Sequence, residues 1–582
     1  MQERVRHADP ATFEIVKNSL YKTAEEMRVV LAKTAYSPLL KSAGDYSCGI
    51  FDAQGEMVAQ GPDLPIHLGS MPDAVRAVVA AFAADVHEND VFVHNDPYFG
   101  GSHLPDVNVI RPAFHAGQLL GYACLRAHWP DIGSGTPGSY GAVTEIFGEG
   151  LRIPPLRLFS RGVLNAELEK LILANVRTPD ERKGDLGAQL AATLRATQRL
   201  AGLARRHGSE TLIGYMAQVM DYSERLMRAS LLDLPDGSGA FEDFCDGDGI
   251  ADDPSGKDAR FKIRLSIRKA RDRLVVDFAG TDPQVKGPMN APLSVTASGV
   301  FCGIKTAVDP SNLIPPNSGC WRAIQITAPK GSVVNAEFPA PVVYANHEIS
   351  HRVADMVMGA LANFMPRQVM ACSQGTSAIL TLGGVDPRTR RPYISYETVK
   401  GGFGARPSKD GINCIASGIS NTMNTPVEVL ETAFPVRIEC YAIDPDSGGA
   451  GRYRGGCGAV RVWRLLEGAD ATGALCMERM TSPPFGLLGG KAGAAAEVLL
   501  TTPDGASRRL PSKGAFHAPA GAVITMRTPG SGGFGAAADR ARASVGRDLL
   551  NGYVSTAAAE RDYGIADPDA LRKSAQSEED AA

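Results

Sequence analysis

Residues 347–351 read His-Glu-Ile-Ser-His, a spelling that sets two imidazoles one helical turn apart with a glutamate beside the first. Zinc proteases use this arrangement, with the glutamate as base. Catalytic zinc is normally held by three protein ligands, so the motif stands or falls on its third. The continuation "HRVADMVMGAL" has neither the glycine nor the third histidine of the longer metzincin pattern, and no glutamate lies between His351 and Glu397. Val353, Met356, Val357 and Ala360 form an apolar stripe instead, so an ordinary packing helix is expected and the histidine spacing is read as accidental. A second group is better placed. "HNDPYFGGSHLPDVNV" carries His94, Asp96, His103 and Asp106, and "RAHWPDIG" adds His128 and Asp131. Two imidazoles and one carboxylate suit a divalent first-row metal with open positions, whether zinc, manganese, iron or cobalt.

The elements around this group decide whether it can assemble. Pro105 lies between His103 and Asp106, so a loop presents them rather than a helix. Val91 to Asn95 runs toward that loop, Val107 to Pro112 runs back, and Leu119 to Ala127 returns in the first direction after a turn at Ala116 to Gln118. In an antiparallel meander of matched strands, His128 arrives at the same edge as His103 and Asp106. The competing reading is that these histidines bond local backbone in their loops. Asp45, in "KSAGDYSCGIFD", is a possible fourth ligand that spacing does not establish.

Elsewhere, "PATFEIVKNSLYKTAEEMRVVLAKTAYS" has helical periodicity, and residues 165–232 are helical again. The acidic stretch "DGSGAFEDFCDGDGIADDPSGKD" lacks calcium-loop spacing and reads as a solvated hairpin. Two alternating strands are expected in "FKIRLSIRKARDRLVVDF", a helix near 347–364, and a tail from 536 that is helical and then frayed. The pattern predicts a mixed α/β (α+β) chain: a helical N-terminal segment, then antiparallel or mixed sheets with glycine-rich loops. Three regions are expected, 1–235 with the metal-binding loops, 236–545 as one or two subdomains, and 546–582 as a partly disordered helical tail. "PGSGGFGAAADRARASVG" spells G-x-G-x-x-G, but no second strand or acidic ribose ligand follows, so a plain glycine turn is expected. "GLLGGKAG" is not a phosphate-binding P-loop.

Composition narrows the function further. The 582 residues are 44% hydrophobic and 21% charged with a net charge of −4, which gives no electrostatic case for nucleic acid. No apolar run reaches membrane-spanning length, the first residues lack the apolar core of a signal peptide, and ten cysteines occur without a C-x-x-C pair. A cytoplasmic protein is expected.

At these residues the sequence resembles the hydantoinase B/oxoprolinase family, the metal-containing subunit type of N-methylhydantoinases, lactamases and acetone-type carboxylases. The resemblance rests on "SAGDYSCGIFDAQGEMVAQ", "PIHLGSMP", "NDPYFGGSHLPDV", "RAHWPDIG", "NVRTPDERKGDLGAQLAA", "DFAGTDPQVKGPMN", "GGFGAR", "NTPVEVLE", "DSGGAGRYRGG" and "TPGSGGFG", which run in order along nearly the whole chain. It implies metal ligands at His103, Asp106 and His128, with Asp45 near the metal and His67 lining the same pocket. In the helix at 346–352 it shares Asn346, Glu348, Ser350 and Arg352, leaving His347 and His351 at variable positions. It also implies a hetero-oligomer with an actin-like, hydantoinase A-type ATPase subunit that uses ATP to phosphorylate a small-molecule substrate. This chain would then open a hydantoin, 5-oxoproline or lactam ring. Asp45 would act as ligand or base, His67 as donor to the leaving nitrogen, and Asp131 as the group holding a ligand imidazole in its tautomer. The alternatives are a ketone carboxylase subunit and a non-catalytic scaffold of the same complex.

Overall fold

The structure, a computed structural model, describes residues 9–250 and 260–580. Its first sheet contains the expected meander. The strands are β1 (Tyr46–Phe51), β2 (Met57–Gln60), β3 (Val91–His94), β4 (Asp106–His115), β5 (Gln118–His128), β6 (Leu156–Ser160) and β7 (Val163–Leu164). They lie in the order β2-β1-β5-β4-β3-β6-β7. A two-residue turn, Ala116–Gly117, joins β4 to β5 with φ of 50° and 78°. Positive φ at both positions matches the right-handed twist of the hairpin strands. With one bulge at Ala113/Phe114, the resulting register sets Asp106 at the start of β4 directly against His128 at the end of β5.

On the other side of β5, Tyr46 of β1 pairs with Ala127, which brings Asp45 to the same end of the sheet. The Asp45 carbonyl accepts the His128 amide at 3.1 Å. One sheet edge therefore collects residues from positions 45, 106 and 128. Helices Pro10–Thr34 and Pro179–His207 cover the sheet, burying Val16, Leu20, Ala24, Met27 and Leu31 from the first and Ala192, Ala196 and Leu200 from the second. Gln189 ties the second helix down, donating to the Val107 carbonyl at 3.0 Å and accepting the Trp129 indole N–H at 3.0 Å.

The second sheet has β8 (Gly237–Cys245), β9 (Phe261–Ala270), β10 (Arg273–Asp277) and β11 (Ile324–Thr327), in the order β11-β10-β9-β8. β9 and β10 are the two alternating strands read from the sequence, and β9 buries every second residue. The acidic stretch begins as one arm of a largely solvated hairpin, as expected. Its first half is β8, which pairs with β9 along its length; residues 251–259 lie outside the described residues. A third sheet joins β12 (Ile379–Val385), β13 (Pro392–Thr398), β16 (Ala471–Cys476) and β19 (Lys513–Ala518) in the order β13-β12-β16-β19. The fourth holds β14 (Val436–Ile443), β15 (Ala459–Leu465), β17 (Glu497–Thr501), β18 (Ser507–Arg509) and β20 (Val523–Arg527), in the order β14-β15-β20-β17-β18. The fold class is the expected mixed α/β one. The G-x-G-x-x-G segment is a packed turn, its Ser531 and Phe534 amides donating to Gly456 and Tyr453. The tail is less frayed than its composition predicts: helices Thr556–Tyr563 and Pro568–Asp580 follow Arg542–Leu550, and Val545, Leu549, Ala559 and Ile565 pack together. Among the described residues, no helix is long and apolar enough to cross a membrane.

The Ala345–Leu361 helix differs from the expected half-buried one. Of its residues only Ala354 escapes burial. Against the Leu293–Val308 helix the fit is so close that a Cβ on Gly303 would come 2.7 Å from the Val357 Cβ. Its buried cation Arg352 is paired with Asp243 at 2.8 Å and with Glu478, which also accepts from Lys513. A buried guanidinium without such partners would cost several kcal/mol, so the sequence that buries this helix must also bring these carboxylates to it.

His94, at the end of β3, shows what burial does to an imidazole here. Its Nε2 lies 3.1 Å from the Ala74 carbonyl and its Nδ1 has no partner. Burial, assisted by the Arg126 charge, lowers its pKa to about 3. The unfolded chain binds this proton near pH 6.5, so folding stability is lost as pH falls from there toward 3. A His94→Gln variant lacks that linkage and is expected to gain about 2 kcal/mol relative to wild type between pH 7 and 5. Denaturant melts of both proteins at the two pH values check this; a difference independent of pH would contradict it.

Candidate metal centre

The loop before β4 is held rigidly. Asn95 donates to the Leu104 and Leu151 carbonyls at 2.7 and 3.0 Å, and Asp96 accepts the Tyr98 amide at 2.9 Å. The Asp106 amide donates to the His103 carbonyl at 3.1 Å, closing the His-Leu-Pro-Asp turn. His103, Asp106 and His128 are all fully buried. His103 Nδ1 donates to the Val343 carbonyl at 3.1 Å, which fixes the proton there and leaves Nε2 with its lone pair.

The Asp106 carboxylate is divided in its duties. Oδ2 accepts from Ser102 and, at 3.4 Å, from Asn346, with His67 Nε2 3.6 Å away. Oδ1 has no hydrogen-bond partner and lies 3.3 Å from His103 Nε2 and 3.4 Å from His128 Nδ1. Those two nitrogens are also unpartnered. Donor atoms bound to one metal at roughly 2.0–2.2 Å lie about 3.0–3.5 Å from each other. Asp106 Oδ1 stands near that spacing from both nitrogens, and three orphaned buried donors so placed fit a divalent first-row ion.

The His-Glu-x-x-His reading needs correction in one half. His347 is not an accident on a packing helix: its ring stands 4.9 Å from that of His103 and 5.8 Å from that of His128, and the three imidazoles form a group whose donor atoms lie within 4.8 Å of one another. His351 does not join. Its Nδ1 donates back to the His347 carbonyl at 2.5 Å, and among the described residues it lies outside the group of imidazoles close enough to share an ion, so a zinc-protease pair does not form. Glu348 faces the opposite way, accepting the Ser377 amide, and burial together with Glu478 pushes its carboxyl up to about 8. Asn346, noted only as a shared letter of the motif, touches Asp106 directly.

The other expected residues divide. Asp45 is buried at the edge; burial, then the Asp106 charge, raises its carboxyl to about 8 against the pull of Lys400. His67 is within reach of the group, its Nδ1 2.8 Å from Ser47 Oγ, and burial lowers it to about 3. Asp131 is a correction. Both its oxygens are taken by Arg177, from the main-chain amide at 2.9 Å and the guanidinium at 2.8 Å, so it anchors the turn before the Pro179–His207 helix instead of orienting an imidazole. Spacing showed Asp131 three residues from His128 but not the arginine that claims it.

The sequence reading passed over two tyrosines. Tyr140 places its hydroxyl 2.5 Å from His347 Nε2 and 3.1 Å from the Tyr396 hydroxyl, and the Tyr396 ring stacks obliquely 4.7 Å from His128. Nothing in their local sequence marks them, because each reaches the site from a different part of the chain.

The electrostatics favour ligands ready to bind. Burial alone would raise the Asp106 carboxyl, but the His103 and His67 imidazoles beside it hold it well below the usual carboxylate range. Burial lowers His128 to about 4 despite Asp106, and lowers His347 further with help from His103 and His128. At neutral pH His128 and His347 are therefore neutral imidazoles beside the Asp106 carboxylate.

Comparison with known proteins agrees with this architecture. A family model described as hydantoinase B/oxoprolinase matches residues 9–537. The caprolactamase subunit beta of Pseudomonas jessenii is 32% identical over 579 residues, 96% of each chain. The crystal structure of the ATP-dependent caprolactamase from Pseudomonas jessenii superposes with a TM-score of 0.89 at 31% identity, covering 99% of this chain and 100% of that one. A nucleotide-free acetone carboxylase structure shares the fold, with a TM-score of 0.89 at 21% identity over 98% of this chain and 83% of its own. With its ordered motifs, its meander and a family match that spans most of its length, the chain belongs to the hydantoinase B/oxoprolinase family.

Proposed function

We propose that this chain is the metal-bearing subunit of an ATP-dependent hydrolase that opens a cyclic amide such as a hydantoin, 5-oxoproline or a lactam. A hydantoinase A-like ATPase subunit would phosphorylate the substrate. The observation that carries this reading is the set of unpartnered donor atoms on His103, Asp106 and His128, with His347 beside them, in a member of this family. The caprolactamase relative is named as a subunit of an ATP-dependent amide hydrolase, which supports a two-component arrangement.

His103, Asp106 and His128 would hold the ion, with His347 and Asp45 as the adjoining candidates. When bound, it supplies Lewis-acid polarisation of an oxygen and a water of lowered pKa. The chain's own groups supply the rest. An amide carbon resists attack, and phosphorylation of its oxygen by the partner would make that carbon electrophilic; one water would then add to it, the C–N bond would break with the ring nitrogen protonated, and a second water would release phosphate from the acyl phosphate as the carboxylate forms. Asp45 keeps its proton to about pH 8 in this buried setting, so it is a donor near the leaving nitrogen unless a positive charge beside it makes it a base. His67, neutral and bonded to Ser47, steadies Asp106 and is a poor acid at neutral pH. Tyr140 and Tyr396 line the approach to His128 and His347 and exclude water from one side.

Co-expression with the ATPase subunit, followed by ATP-dependent turnover on hydantoins, 5-oxoproline and lactams with metal analysis, tests the proposal. About one metal per chain is expected. His103→Ala should lose the metal and at least about 100-fold in activity with its fold intact; full activity with metal retained would remove this site. Ketone, ATP and bicarbonate in a parallel assay identify a carboxylase by its product, and a metal-free chain would mark a scaffold.

The two histidines of the helix are expected to part company. His347→Ala should weaken metal binding at least about 10-fold, while His351→Ala leaves it within about 2-fold. Equal losses in both would restore the zinc-protease geometry.

A further inference from the structure

Glu149 lies outside the motifs and outside the donor group, at the end of the single turn Ile146–Gly148, and is only 1% exposed. Its Oε1 accepts two main-chain amides from a distant part of the chain, Val342 at 2.5 Å and Val343 at 2.7 Å. The carbonyl of that same Val343 receives the Nδ1 proton of His103. Immediately afterwards the chain enters the Ala345–Leu361 helix, with the Tyr344 and Ala345 amides both directed at the Pro288 carbonyl, and Asn346 and His347 lie in its first turn.

We infer that Glu149 is a positioning residue for the candidate metal centre, acting through the Val342–Val343 main chain to fix both the tautomer of His103 and the start of the helix that carries His347. This inference rests on the metal reading above. With two adjacent amides clamped by one oxygen, the Val343 carbonyl has a defined direction. Only a carbonyl so directed keeps the His103 proton on Nδ1 and the lone pair on Nε2, the atom that faces Asp106 Oδ1. An apolar residue in place of Glu149 would leave two buried amides without an acceptor, a cost the loop relieves by rotating, and the carbonyl turns with it. The two imidazoles on either side of that loop would lose their mutual setting while the fold of the sheets stays as it is.

The form of the side chain points to a specific rescue. Burial, partly offset by the two amides, raises Glu149 to about 8. At neutral pH it is therefore an uncharged acid with one acceptor oxygen in use, and its Oε2 has no partner. Glutamine keeps the same acceptor at the same reach; asparagine keeps the chemistry but is one carbon short of both amides.

The test uses the full chain stripped of metal and titrated with Co2+ alone, read by its ligand-field absorption and by affinity. Glu149→Gln should bind within about 3-fold of wild type with an unchanged spectrum. Glu149→Leu and Glu149→Asn should bind about 10- to 100-fold more weakly with altered spectra. If Leu does not fold, the Asn variant is read in its place. Wild-type affinity and spectrum in a folded Leu or Asn variant would overturn the inference while leaving the metal reading intact. If both fail to fold while Gln is normal, Glu149 is a folding residue and the inference falls. A wild-type chain that takes up no Co2+ removes the metal reading and this inference together.

Discussion

The centre depends on how the Asp106 carboxylate is satisfied. A buried charge must be paired or bonded on every side, yet here only Oδ2 is bonded, by Ser102 and Asn346. Oδ1 is left among nitrogens that are themselves without donors or acceptors. That asymmetry leaves Asp106 with a free donor atom, which a fully bonded structural acid lacks. Asp131 shows the contrast within the same motif region: both of its oxygens are consumed by Arg177, and it is buried without being available. The same reasoning explains Asp45, where burial and the Asp106 charge outweigh the pull of Lys400 and raise the carboxyl to about 8.

Holding that asymmetry in place requires two frames that are far apart in sequence. The meander supplies Asp106 and His128 by register alone, through a two-residue turn that allows one pairing. The Ala345–Leu361 helix supplies Asn346 and His347, and its position is set by glycine-sized gaps along the Leu293–Val308 helix and by the Arg352–Glu478–Lys513 charges. The Arg352 partners come from β8 of the second sheet (Asp243) and from just beyond β16 (Glu478), with Lys513 on β19 of the third sheet, so the packing that orients His347 engages distant parts of the chain. The site is buried because the helix is.

This division also governs what was readable beforehand. His103, Asp106 and His128 lie within one supersecondary unit, where strand direction and Pro105 restrict the geometry, and their convergence followed from spacing. His347 reaches the group across some 240 residues of chain, and nothing local distinguishes a helix face that meets a distant loop from one that meets core. The periodicity of Val353, Met356 and Val357 described an amphipathic helix correctly as far as it went. It did not reveal that the polar face is buried too, because the compensating Asp243, Glu478 and Lys513 lie elsewhere. Tyr140 and Tyr396 were invisible for the same reason.

The walls of the site are encoded separately from its donors. His103, Asp106 and His128 are fixed by backbone register and a closed turn, so their geometry tolerates little change. Tyr396 and Lys400 come from β13 and the residues after it, and Tyr140 from a short turn; none of them is held by the register of the donor sheet. Lys400 donates to the Thr398 and Thr422 hydroxyls, and burial lowers it to about 8 while Asp45 pulls it back. Tyr140 and Tyr396 touch His347 and His128, so a change in either reaches an imidazole, whereas Lys400 is tied to threonine hydroxyls.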